Sequence, residues 1–294
     1  DPESSELRRA IAAHFALDPA QIFVGNESDE VLAYAFPAFF AKPLPLLFPD
    51  ITYSFLPVYA QMFGVPNCTV PLADDFSVRL ADYDRPCGGI IITNPNAPTG
   101  RALPAADLCA LLERHPDVVV LVDEAYVDFG GESMAPFVPR YPNLLVVQTV
   151  SKSRSLAGIR LGYALGQQPL IDGLNRVKSS VNSYPVDRIC AAAVTAAFAD
   201  PAPFRANADR IIATRERVAA ALPALGFSVV PSAANFLFIS HRTRAAADLY
   251  RALKERGVLV RHFSKPRIDN YLRVTIGTDE EMDVLLTRLR EILG

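Results

Sequence analysis

The sequence predicts an α/β fold: a mostly parallel central sheet flanked by helices, with a smaller α+β unit towards the C-terminal end. Three observations carry that prediction. First, Gly88–Pro95 (GGIIITNP), Asp117–Tyr126 (DVVVLVDEAY) and Asn143–Ser151 (NLLVVQTVS) are almost continuously apolar and rich in β-branched residues. Strands buried on both faces, as in parallel sheets, read this way, whereas half-buried strands alternate. Second, PAADLCALLERH lies between the first two runs and puts Leu108, Leu111 and Leu112 on one helical face, which makes a βαβ unit. Third, each run ends in polar residues: Asn94 and Asn96, Asp123 and Tyr126, Ser151 and Lys152.

The remaining elements follow in order. PLPLLFPD (Pro43–Asp50) is a further strand, and the segment around LPVYAQMFG a helix. VLAYAFPAFF reads as a buried helix followed by a turn, because Pro37 interrupts it and it is too short to span a bilayer. Pro201-Ala202-Pro203 marks a break, and a long helix is expected from about Phe204 to Leu222. Beyond it, SVVPSAANFLFIS is read as a strand, TRAAADLYRALKERG as a helix closed by Gly257, VLVRHF and YLRVTIG as strands, and Asp279 as the start of a last helix. Residues 1–203 are thus expected to form a large ligand-binding domain and residues 204–294 a small one.

Composition narrows the function. The chain has 294 residues, a net charge of -3 and no long basic run, which argues against nucleic acid as a partner and for small molecules. Cys68, Cys87, Cys109 and Cys190 are scattered, as are His14, His115, His241 and His262. That spacing suits reduced packing residues rather than disulfides or a metal site. The chain opens on the charged DPESSELRR, without a secretory leader pattern, so a cytoplasmic location and no membrane association are expected.

In open α/β sheets, ligands bind beyond the carboxyl ends of the strands, so the polar strand ends mark the site. Taken singly they are ambiguous: Asp123 is equally a helix cap or half of a buried ion pair, and Lys152 alone reads as solvated surface. Arg160 stands inside the apolar run AGIRLGYAL, where a buried guanidinium needs a fixed anion. Together they suit pyridoxal phosphate (PLP). A lysine amine bonds its aldehyde, and a carboxylate keeps its ring nitrogen protonated so that the ring draws electrons. An arginine and backbone N–H groups bind its phosphate. VGNESDEVLAYAF (Val24–Phe36) offers a helix start at Asn26, Ser28 and Asp29 that can face this anion, or is an ordinary helix cap.

These motifs resemble, in order along nearly the whole chain, the PLP-dependent transferases of fold type I, and among them the histidinol-phosphate aminotransferase group. The resemblance runs through DPESSELRRAIA, VGNESDE, TYSFLPVYAQMFG, NPNAPTG, VDEAY, SKSRSLAGIRLGY, PSAANFLF, GVLVRHF and YLRVTIGT. It implies that Lys152 bonds the cofactor and shuttles a proton, that Asp123 pairs with the ring nitrogen, and that Tyr126 bonds the ring hydroxyl. It further implies that Tyr53 stacks on the ring, and that Ser28 and Asp29 (through backbone N–H groups), Ser151 and Arg160 surround the phosphate. Arg273 is expected to grip a substrate carboxylate and Arg261 the far end of the substrate, with Asn235 nearby. The substrates would be amino acids and 2-oxo acids, and the assembly a homodimer.

The sequence departs from the pattern at three places. Ala97 stands where an asparagine usually precedes Pro-Thr-Gly, leaving Asn96 as the candidate replacement. Glu27 stands where glycine is usual, so its carboxylate is expected to point outward or pair with a cation, and its side chain to disfavour a positive φ. The family's upstream arm, whose tyrosine reaches a partner's cofactor phosphate, is expected to lie outside these 294 residues, the other reading being a divergent member without it. Two other activities fit the same residues: decarboxylation of threonine phosphate, and cofactor sensing without turnover. A sensor would normally accompany a DNA-binding module, and no basic helix-turn-helix segment is present.

Overall fold

A computed structural model describes residues 1–294. The strands of the large sheet are β1 (Ile22–Asn26), β2 (Leu46–Pro49), β3 (Asn67–Val70), β4 (Gly89–Thr93), β5 (Val120–Asp123), β6 (Leu144–Thr149) and β7 (Leu161–Gly166). Their order is β1-β7-β6-β5-β4-β2-β3, and β7 alone runs antiparallel to its neighbours. Helices α1 (Ser5–Phe15), α2 (Glu27–Ala35), α3 (Leu56–Met62), α4 (Ala105–Arg114), α5 (Gln168–Val181) and α6 (Arg188–Ala199) cover both faces.

The continuous apolar runs are explained by this two-sided cover. Ile90, Ile92, Val120 and Val122 pack on one face with Leu7 and Ile11 of α1 and Leu108, Leu111 and Leu112 of α4. Ile91, Leu121 and Leu145 face the other way, against Val31 and Leu32 of α2 and Ile171 and Leu174 of α5. Parallel pairing aligns Thr93 with Asp123 and Asp123 with Val147, so successive strands end at one rim.

Helix α7 (Pro201–Ala221) starts earlier than the prolines suggest: Pro201 and Pro203 lie in its first turn, where a missing N–H costs nothing. A second sheet of β8 (Phe227–Val230), β9 (Phe236–His241), β10 (Arg261–His262) and β11 (Leu272–Thr275) follows, in the antiparallel order β10-β11-β9-β8. SVVPSAANFLFIS is therefore two strands joined by a loop, and VLVRHF contributes only two paired residues. Helices α8 (Ala246–Glu255) and α9 (Asp279–Leu293) cover one face of this sheet through Leu249, Leu253, Leu285 and Leu289. Thr278 and Glu281 form a capping box at the start of α9. No helix is long and apolar enough to cross a membrane.

One glycine fixes how closely the large sheet meets α2. A Cβ on Gly162 of β7 would fall 2.2 Å from the Ser28 nitrogen and 2.3 Å from the Glu27 carbonyl carbon. The three nearest atoms are all backbone of Glu27 and Ser28, so no flexible side chain can give way. Gly162→Ala is expected to lower stability by about 1–3 kcal/mol, as overpacking does, measured by denaturant unfolding. A variant as stable as the parent would show that β7 and α2 can separate.

Candidate active site

The strand ends β4, β5 and β6, the start of α2 and the turn before β7 enclose one cavity. Asp123, Tyr126, Lys152, Ser28, Asp29, Tyr53 and Arg160 all line it. Asp123 is the last residue of β5 and is buried, and its carboxylate accepts a hydrogen bond from the Ala125 N–H at 3.1 Å. Lys152 reaches the cavity from the segment after β6, its Nζ 5.9 Å from the centre of the Tyr126 ring. The Tyr126 ring meets Phe236 edge-on at 5.1 Å, and burial raises its hydroxyl pKa.

At the other end of the cavity three donors converge. The Ser151 hydroxyl donates to Glu27 Oε2 at 2.6 Å, the Thr149 hydroxyl donates to Glu27 Oε1, and Arg160 Nη1 lies 2.9 Å from Oε2. The expectation of a buried Arg160 is corrected here: its side chain is 52% exposed, while that of Glu27 is 6% exposed. Arg160 has a left-handed φ of 60° between a short 3-10 turn (Ala157–Ile159) and β7, which turns its side chain away from the apolar neighbours. Glu27 adopts a φ of 70° despite its side chain, and its carboxylate pairs with a cation inside the cup rather than pointing outward.

Two further residues differ from expectation. Asn96 does not line the cavity: its amide donates to the Ile51 carbonyl and Thr99 Oγ1 and accepts from Thr93 Oγ1. Ala97 lines the cavity instead, so the asparagine position is not replaced from Asn96. Asn94 likewise braces the Leu103 backbone. The Asp29 side chain is engaged as well, accepting the Tyr53 hydroxyl at 2.6 Å, and this holds the half-buried Tyr53 ring at the cavity wall, parallel to Phe55.

The small sheet brings its arginines close by without placing them on the cavity lining. Arg273 lies 5.0 Å from the Phe236 ring centre, and its Nε is buried without a hydrogen-bond partner. Arg261 is directly opposite Arg273 in the β10–β11 register and is exposed. Asn235 belongs to the loop before β9, where its carbonyl accepts the Ile276 N–H. Thr149 was missed by sequence reasoning, although it shows the same signal as Asp123: a polar residue closing a buried strand.

The donor set fits pyridoxal phosphate. A lysine, a desolvated carboxylate with room for a cationic nitrogen, and a cup already bonded to an anion occupy one cavity at the rim of a mostly parallel sheet. Fold and site together define a PLP-dependent transferase of fold type I. The chain belongs to the aminotransferase class I and II family, whose model matches residues 1–289. It is 56% identical to the histidinol-phosphate aminotransferase of Marinomonas sp. (99% of this chain, 84% of that one). It is 54% identical to histidinol-phosphate aminotransferase 2 of Burkholderia lata (100% and 83%). The crystal structure of histidinol-phosphate aminotransferase from Sinorhizobium meliloti with pyridoxal-5'-phosphate superposes with a TM-score of 0.88, at 26% identity over 100% of this chain and 82% of that one.

Burial raises Asp123 from 3.8 to about 6, with the nearby Lys152 charge working the other way. Between those values the folded chain holds the extra proton. The stabilising contribution is therefore complete below pH 3.8 and is lost as pH rises through about 6. In the ligand-free protein, Asp123→Asn should escape this loss. Its stability relative to the parent should improve by about 3 kcal/mol between pH ~4 and ~7, at roughly 1.4 kcal/mol per pKa unit. Unfolding curves at several pH values measure the difference, and a flat profile counts against a buried, unpaired carboxylate.

Proposed function

We propose that this chain is a PLP-dependent aminotransferase exchanging the amino group between histidinol phosphate and 2-oxoglutarate. The observation that carries the reaction class is the meeting of Lys152 and Asp123 in one cavity from neighbouring strand ends. The identity of about 55% to histidinol-phosphate aminotransferases over nearly the full chain supports the substrate. When bound, the cofactor supplies an electron-withdrawing ring conjugated to the substrate's α-carbon.

The residues then divide the work. Lys152 would hold the cofactor through Nζ, and the same amine, once released, would move the proton at the substrate α-carbon. Asp123 keeps the ring nitrogen protonated, because a cation there relieves its desolvated charge. Tyr126 donates to the ring hydroxyl oxygen, and Tyr53, fixed by Asp29, walls the ring. Ser28 and Asp29 at the start of α2, with Ser151 and Arg160, hold the phosphate. Asn96, whose amide is engaged elsewhere, is left out of this assignment. Arg273 takes a substrate carboxylate and Arg261 the distal phosphate. The buried, unpartnered Arg273 Nε supports an anion at that position.

The same reading extends to a cytoplasmic homodimer. Val181, Tyr184 and Ile189 are large apolar side chains, each more than 70% exposed within one short segment, which supports a subunit face there. It also extends to two domains, 1–203 and 204–294, each with its own sheet and apolar core.

With PLP, the protein should show a visible absorption band from the lysine-bound cofactor, and Lys152→Ala should lose both the band and turnover. Amino transfer from histidinol phosphate to 2-oxoglutarate should proceed without CO₂ release. Release of CO₂ from threonine phosphate would replace this reading with a decarboxylase. Arg273→Ala should keep the band but raise the KM for 2-oxoglutarate at least about tenfold, the loss of one charged contact. An unchanged KM would remove Arg273 from the substrate site.

A further inference from the structure

The Glu27 carboxylate holds two of the four groups assigned above to the cofactor's phosphate. Ser151 and Arg160 both bond Oε2, at 2.6 and 2.9 Å, and Thr149 bonds Oε1. A hydroxyl has one proton to give, so Ser151 cannot donate to Glu27 and to a phosphate at once. Arg160 is the one cation paired with this carboxylate, and a phosphate monoester brings up to two negative charges to share it. The two anions therefore exclude each other.

The surrounding backbone decides which part can yield. The Glu27 N–H donates to the Arg160 carbonyl at 3.0 Å, and Gly162 leaves no space behind Glu27 and Ser28 for α2 to withdraw. The φ of 70° at Glu27, a conformation that costs a non-glycine residue energy, sets only the direction of its Cα–Cβ bond and leaves the carboxylate free to rotate. What remains free to move is the side chain itself, and the half-exposed Arg160 leaves it an outlet to solvent.

We propose that the Glu27 carboxylate is an internal occupant of the phosphate cup, and that the cofactor's phosphate binds by displacing it. The inference rests on the PLP reading for the identity of the ligand. Glu27 thus sets cofactor affinity: phosphate binding exchanges one anion for another instead of filling a preformed vacancy.

The test compares the parent with Glu27→Gly and Glu27→Gln, measuring equilibrium affinity for PLP and for pyridoxal, which lacks the phosphate. Glu27→Gly should bind PLP roughly tenfold to a hundredfold more tightly, the range of one like-charge contact at a half-exposed site. Pyridoxal affinity should not change. Glu27→Gln, which keeps the side chain's length, should move PLP affinity the same way by a smaller factor. A second readout needs no cofactor: inorganic phosphate should raise the melting temperature of Glu27→Gly by a few degrees and leave the parent unmoved. If neither substitution raises PLP affinity relative to pyridoxal, the proposal is wrong. If no protein binds PLP or pyridoxal, the cofactor reading fails, and the phosphate-dependent melting shift alone decides whether Glu27 guards an anion cup.

Discussion

A carboxylate held away from water organises the rim of this protein. Asp123 closes β5 with 7% of its surface exposed, and the Ala125 N–H is the one hydrogen bond its side chain receives. A carboxylate has four acceptor sites, so burial with a single donor leaves it in need of a cation. Packing rather than polar contacts holds it there. Val122 and Leu121 are buried on opposite faces of the sheet, and slipping the strand by one residue would exchange those faces. The hydrophobic energy of the strand therefore keeps the charge at the rim.

Its neighbour shows that burial alone does not make a site. Glu124 is also buried and is raised to about 7, but it receives the Met134 N–H, the Ser133 hydroxyl and the Gln148 amide at 2.5, 2.6 and 2.7 Å. Gln148 is held in turn by the Tyr163 hydroxyl. Glu124 is satisfied by the chain and serves as a brace between β5, β6 and the loop after Phe129. Asp123 has an unmet requirement in a cavity that also receives Lys152. Two consecutive acids thus divide into scaffold and site by their donor counts.

The sequence revealed the parts governed by strand physics and concealed those governed by irregular backbone. Runs buried on both faces contain no polar interruptions, so Asp123, Ser151 and Lys152 stood out at their ends. The strand ends at Thr93, and nothing periodic tells whether Asn96 or Ala97 faces the cavity beyond it. Arg160 looked buried because its sequence neighbours are apolar, but those neighbours belong to a 3-10 turn and a strand, with a left-handed residue between them. The two strands of SVVPSAANFLFIS merged because apolar residues continue on both sides of a loop opened by Pro231. Glu27 was legible as an anomaly, but its partners lie more than a hundred residues away and only the fold joins them.

The two sheets are fastened by a few contacts. Arg215 of α7 is buried and donates to the Phe129 and Ala234 carbonyls at 2.6 and 2.9 Å. Each charged hydrogen bond of this kind is worth about 1.5–3 kcal/mol. They tie the turn after Tyr126 to the loop before β9, where Phe236 lies between the Tyr126 ring and the Arg273 guanidinium. Arg273 and Arg261, opposite one another on adjacent strands, repel in the absence of an anion. The large sheet therefore carries a buried negative charge awaiting a cation, and the small sheet a cationic pair awaiting an anion. Tyr126–Phe236–Arg273 is the packed chain of contacts that joins the two.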